Sequence, residues 1–251
     1  MNSVAGIIGL VLVLIAAGLL LGLTFIRRKS VPTFREIAAF TRLKRAVGIS
    51  VEDGTRLHVS LGRGGLQTPD GAPGLAGLAM LRHLSEQTSV SDNPPVVTSG
   101  AADLAILSRD TLQAGYKAAG AEEIYNPATG RLTGLTPFSF AAGAIPSMRD
   151  ENVSTNLLIG HFGSEVALLT DTAERTNNPV VAATVDPSAQ AVLYASVDEP
   201  LVGEELFAAG AYSDAGRAHQ ASLQVQDIFR WIIILILFVG SLLSLAGFRI
   251  F

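Results

Sequence analysis

Two long, unbroken apolar runs lie near the ends of the chain, and between them short β-branched segments alternate with longer stretches of helical spacing. Residues 4–26 carry no charge, and Thr24 is the only hydroxyl among those 23 residues. As a helix rising about 1.5 Å per residue, this run spans roughly 30–35 Å, enough to cross a hydrocarbon core. Residues 231–248 form a second uncharged run, with Ser241 and Ser244 as its polar members. Trp231 stands at its start, where a membrane interface favours an indole. A cleaved signal peptide wants a basic beginning and a shorter apolar core, and Met1-Asn2-Ser3 holds no Lys or Arg. Both runs read as transmembrane helices.

The rest divides into a basic juxtamembrane stretch over 27–47, an α/β domain over 48–215 and a connecting helix over 216–230. Strands are predicted at 57–61, 95–98, 131–135, 156–159, 180–185 and 191–197. Helical spacing predicts helices at 75–84, 104–116, 138–149 (despite Pro146), 164–176 and 201–212. This alternation is the signature of an α/β fold with a mostly parallel, three-layer, Rossmann-like sheet. Its crossovers should be right-handed, with helices on both faces.

Charge fixes an orientation. Of the 18 Lys and Arg residues none precedes position 27, while Arg27, Arg28, Lys29, Arg35, Arg42, Lys44 and Arg45 follow the first run with Glu36 as the one acid among them. Basic flanks stay in the cytoplasm, so the central domain is expected there and both termini outside, across a plasma (inner) membrane. From residue 46 to 230 the balance reverses, with ten basic residues against 21 acids. An acidic body is repelled by phosphate backbones, so no nucleic-acid partner is expected, and the lipid bilayer is. Ile37, Phe40, Lys44 and Val47 recur at helical spacing, which fits a membrane-surface helix or a solvated linker helix equally.

Across all 251 residues, 49% are apolar and only 16% charged, against about 25% charged in a soluble domain. Mean hydropathy is +0.40. The absence of cysteine excludes disulfide frameworks, thiolate metal sites and cysteine nucleophiles.

The segments LHVSLGRGG, PPVVTSG, NLLIGHFGSE and GEELFAAGAY, set between two terminal spans, resemble a bacterial membrane-protein family known only as a domain of unknown function. The resemblance covers most of residues 46–215. It implies an α/β domain with membrane attachment, and it supplies no activity, cofactor or catalytic residue.

In parallel α/β sheets, ligands bind beyond the carboxyl ends of the strands. Three predicted strand-to-helix turns are small and polar: Gly62-Arg63-Gly64-Gly65, Ser99-Gly100 with Asp103, and Gly160-His161 with Gly163-Ser164-Glu165. Glycine admits a ligand to the backbone N–H groups, a helix N-terminus favours an anion, and Arg63 and His161 add donors. The competing reading is that the glycines only make tight turns and that Ser99, Asp103 and Ser164 cap helices. Neither G-x-G-x-x-G nor G-x-x-x-x-G-K-[ST] occurs, and His58, His83, His161 and His219 fall at no metal-binding spacing. His58, inside a strand, reads as a structural residue. Gly18-x-x-x-Gly22 in the first run, and Gly240-x-x-x-Ser244 with Gly247 in the second, place small residues on one helix face, as close helix packing in lipid requires.

Three function classes fit: a non-enzymatic module sensing a small anionic ligand at the glycine turns, a structural subunit of a homo-oligomer, and, with least support, an enzyme. Topology is directly testable. A reporter phosphatase active only in an oxidising outer compartment, fused at Gly130, should be inactive, and strong activity there would overturn the cytoplasmic assignment.

Overall fold

The computed structural model describes residues 3–26, 34–91, 93–198, 200–212 and 217–245. Its helices are α1 (Ser3–Ile26), α2 (Ala38–Glu52), α3 (Gly71–Thr88), α4 (Ala102–Ala118), α5 (Pro137–Asp150), α6 (Val166–Arg175), α7 (Pro187–Ser196), α8 (Glu205–Tyr212) and α9 (Arg217–Leu245). The strands are β1 (Arg56–Gly62), β2 (Val96–Ser99), β3 (Gly130–Leu132), β4 (Val153–His161), β5 (Val180–Thr184) and β6 (Leu201–Val202). Two compact units result, one of Met1–Phe34 with Gly216–Phe251, the other of Arg35–Ala215.

The first unit is the helix pair α1 and α9, which pack against each other. Each is long and apolar enough to cross a membrane, over Gly6–Phe25 and Ala218–Leu245. Their side chains stay outside any protein core: Leu14 is 63% exposed and Leu237 66%. A Cβ added at Gly18, Gly22 or Gly240 would meet nothing within 4 Å, so the contact between the two helices does not use those glycines. Ser244 is exposed, and Gly247 lies outside the described residues.

The second unit is a six-stranded sheet in the order β3-β2-β1-β4-β5-β6. Every described pairing is parallel. Successive strands therefore step outward from β1 to β3, then return across the sheet to β4 and step outward the other way. Alternation along β1 divides the two faces. Leu57, Val59 and Leu61 join one core with Leu81 and Leu84 of α3, while Phe140 and Met148 of α5 and Leu169 of α6 build the other.

Helix α2 belongs to this body. Ala39, Phe40, Leu43 and Val47 all lie in the first core, so the apolar stripe that the sequence leaves open to lipid or solvent is spent on the sheet domain. Phe40 stacks on Tyr212 of α8 with ring centroids 4.7 Å apart. The Tyr212 hydroxyl donates to the Arg35 carbonyl at 2.7 Å, and Arg35 pairs with Glu205 at 2.5 Å. The places where the chain comes into the sheet domain and leaves it are thus clasped side by side.

Two predicted elements exchange character. Residues 191–197, expected as a strand, lie largely within α7, because Asp186 accepts from the Ala189 N–H and Pro187 starts the helix at a position that needs no donor. Ala189, Leu193 and Val197 then bury one side at a four-residue period. The sixth strand is instead the two residues Leu201–Val202, at the beginning of a stretch expected to be helical throughout. Helix α5 tolerates Pro146 at the loss of one backbone bond, and a capping box of Thr136 with Ser139 secures its start.

A polar row crosses the middle of the sheet. His58 is fully buried; its Nδ1 lies 3.0 Å from Asn156 Oδ1 on β4 and its Nε2 2.9 Å from Thr98 Oγ1 on β2. With the Asn156 oxygen accepting, Nδ1 carries the hydrogen and Nε2 accepts from the Thr98 hydroxyl. Burial pushes the imidazole down to about 4, outweighing the Asn156 hydrogen bond that favours its charged form. The unfolded chain binds this proton near pH 6.5 and the native chain only near 4, so native stability falls as pH drops through that window and levels off below it. The loss should reach about 3 kcal/mol. Denaturation of the detergent-solubilised protein from pH 7 to pH 4 should therefore show a slope that His58→Gln flattens. An unchanged slope in the variant would assign the acid sensitivity elsewhere.

Candidate functional site

The strand order reverses between β1 and β4, and the three turns singled out in the sequence follow β2, β1 and β4, which are adjacent. They lie together on the carboxyl edge of the sheet, where an open α/β fold has its crevice. The β1–β4 register carries Ser60 opposite Leu158 but Gly62 opposite His161, one extra residue on β4. This bulge re-aims the end of β4 at the crevice.

Glycine makes the bulge possible. Gly62 has φ +68°, and a Cβ there would stand 2.2 Å from the His161 carbonyl oxygen; at Gly160 one would stand 2.0 Å from the Leu61 oxygen. A Cβ on Gly64 would meet the Asp70 oxygen at 2.0 Å. At these three positions the missing side chain brings backbone against backbone. Gly65 instead faces the Asp103 carboxylate, and Gly100 lies under the Arg63 side chain.

The polar side chains are largely engaged with one another. Arg63 Nε donates to Glu165 Oε1 at 2.7 Å, tying the turn after β1 to the turn after β4 across the reversal. The same oxygen accepts from the Gly163 N–H at 3.0 Å. Glu165 is 2% exposed. Burial raises its carboxyl, but the Gly163 N–H and the Arg63 guanidinium outweigh that and hold it below the ordinary glutamate value. Asp103 accepts from the N–H groups of Leu66, at 2.7 Å, and Leu104, at 2.8 Å. The Ser99 hydroxyl is buried against the carbonyls of Ala101 and Arg131. Ser164 is exposed. The residues at the helix starts are Ala101 for α4 and Glu165 for α6, neither with a side-chain cap; Ser99 and Ser164 cap neither helix, while the Asp103 carboxylate takes the first-turn N–H of Leu104.

Two groups remain unengaged among the described residues. Arg63 makes no described bond through Nη1 or Nη2, and His161 has its Nδ1 buried without a partner among the described residues. His161 Nε2 lies 3.9 Å from Asp70 Oδ2. Asp70 and Asp186 are the edge residues that the sequence does not reveal. Asp186 ends the turn after β5; its hydrogen bond from Ser188 chiefly lowers its carboxyl value, and the charge of His161 adds to the effect. The Asp-Pro start of α7 would have signalled this fourth turn had the following segment not read as a strand. Among the described residues no group of three or more His, Asp or Glu could hold a metal ion.

The chain belongs to the family described as Domain of unknown function (DUF6754), whose model matches residues 2–251. No curated protein and no solved structure matches it significantly.

The close backbone contacts make a graded prediction. Gly64→Ala and Gly160→Ala each press a methyl into a carbonyl oxygen and should lose at least about 2–3 kcal/mol of stability. Gly65→Ala meets only the Asp103 carboxylate, at 3.3 Å, and should stay within about 1 kcal/mol of the parent in the same denaturant titration. Equal effects at all three would show that the close backbone contacts at Gly64 and Gly160 do not require glycine.

Proposed function

We propose that this member of the family is a membrane-anchored, non-enzymatic α/β module that binds a small anionic ligand at the carboxyl edge of its sheet. The observation that carries this reading is the pair of unengaged terminal donors of Arg63, Nη1 and Nη2, beside the β1–β4 reversal. The glycine contacts and the Arg63–Glu165 pair fill the inner crevice, so the ligand is small and sits on the rim rather than being a dinucleotide laid across it. The basic residues after α1 support a cytoplasmic sheet domain with both termini outside. Occupancy would then be sensed on the side of the membrane where phosphorylated metabolites are abundant.

A second reading, assembly into a homo-oligomer, draws on the open glycine faces at Gly18, Gly22 and Gly240. Native mass spectrometry of the detergent-solubilised chain addresses both, through retained small molecules and through stoichiometry. Calorimetric titration with inorganic phosphate tests the rim itself. Arg63→Lys keeps a cation beside Glu165 but loses the planar pair of terminal donors, and should weaken phosphate about tenfold or more. A chain that retains no ligand and gives no heat with millimolar phosphate would end the ligand-binding reading.

A further inference from the structure

A second recess lies at the opposite, amino edge of the sheet. It is an open groove of about 810 Å³ running from α2 on one face, beneath the starts of β4 and β5, to the end of α6 on the other. Its floor includes Thr155 and Thr170, each 3% exposed, and its rim is charged. The two signs are divided across it. Arg42 and Arg45 stand on α2, while Glu174 lies in the last turn of α6 and Asp198 follows α7.

Arg42 and Asp198 satisfy each other at 3.0 Å. Arg45 and Glu174 do not. Neither side chain makes a hydrogen bond or ion pair among the described residues, though both line the same groove and carry opposite charge. Arg45 and Glu174 thus line one groove as an unpaired cation and an unpaired anion, together with the buried Thr155 and Thr170, and leave room for a molecule with both charges.

We infer that this groove binds a zwitterion consisting of a phosphate ester with a primary ammonium, of the phosphoethanolamine type. The phosphate lies against Arg45, with Arg42 three residues away on the same helix face, and the ammonium lies against Glu174. A guanidinium presents paired N–H donors to phosphate oxygens, and a carboxylate accepts from an ammonium, so each end is recognised by the chemistry that suits it. Such a ligand comes either as a free metabolite or as the headgroup of a phospholipid. The second source suits a chain with two helices long and apolar enough to cross a membrane. The site does not depend on the carboxyl-edge reading, and Arg63→Lys should leave it unchanged.

Calorimetry on the detergent-solubilised full chain with phosphoethanolamine is the test. The wild type should bind it, and inorganic phosphate or ethanolamine alone should bind far more weakly. Arg45→Gln and Glu174→Gln, both at exposed positions, should each weaken phosphoethanolamine at least tenfold, while Glu174→Gln leaves the weak phosphate binding as it was. Repeating the titration in nanodiscs separates the sources. In discs of phosphatidylethanolamine a lipid-occupied groove no longer accepts the soluble probe, whereas in phosphatidylglycerol discs it does. A groove supplied from solution binds equally in both, so either pattern upholds the site and names its source. Absence of phosphoethanolamine binding by the wild type in detergent, or binding unchanged in both variants, would overturn the inference.

Discussion

Strand β1 has two edges to offer, and β2 takes one while β4, whose segment begins some ninety residues further along the chain, takes the other. That second pairing sets almost everything else. It makes the sheet turn back on itself, so that β2 and β3 build one wing and β5 and β6 the other. It brings Asn156 beside His58, closing the polar row through the core. At its carboxyl end it requires a bulge, and the bulge requires glycine at 62 and 160 because the two backbones approach too closely for any side chain. A parallel pairing over so long a separation is expensive in loop entropy and is made worthwhile only by burial on both faces. Leu57, Val59 and Leu61 on one side, with Leu158 and Phe162 on the other, supply that burial.

The same constraint explains the state of the carboxyl edge. Once β1 and β4 are locked, Arg63 and Glu165 are close enough to pair, and Glu165 is buried with its charge compensated. A buried carboxylate of this kind is tolerable only while its partners hold; removal of the guanidinium would leave an uncompensated charge. The edge is accordingly a structural clamp. The amino edge is different, since there Arg45 and Glu174 line one open groove from separate helices without pairing.

Much of this was legible in the chain before any coordinates. The alternation in Leu57-His58-Val59-Ser60-Leu61 gives the strand and both of its faces, and the two apolar runs announce themselves by length. The glycine turns were visible too, but their purpose was not, because a glycine that admits a ligand and one that admits a neighbouring backbone look alike in sequence. Arg63 and Glu165 are 102 positions apart, and nothing local relates them. The misread segment at 191–197 shows β-branched and aromatic side chains outweighing a correct capping signal at Asp186-Pro187. Helix α2 was legible as an amphipathic helix, yet periodicity cannot say which surface covers the stripe of Phe40, Leu43 and Val47.

The clasp between Arg35 and Tyr212 has a consequence for how the two spans find each other. Helices α1 and α9 are separated by about 190 residues, and closing a hairpin over so long a flexible loop carries a large entropic penalty. When the sheet domain folds, Arg35 and Tyr212 are held together, so the stretch between them no longer counts as open loop. Each halving of the effective loop length eases the pairing of the helices by about 0.6 kcal/mol. Folding of the sheet domain is thereby coupled to assembly of the helix pair without a single contact between them being needed.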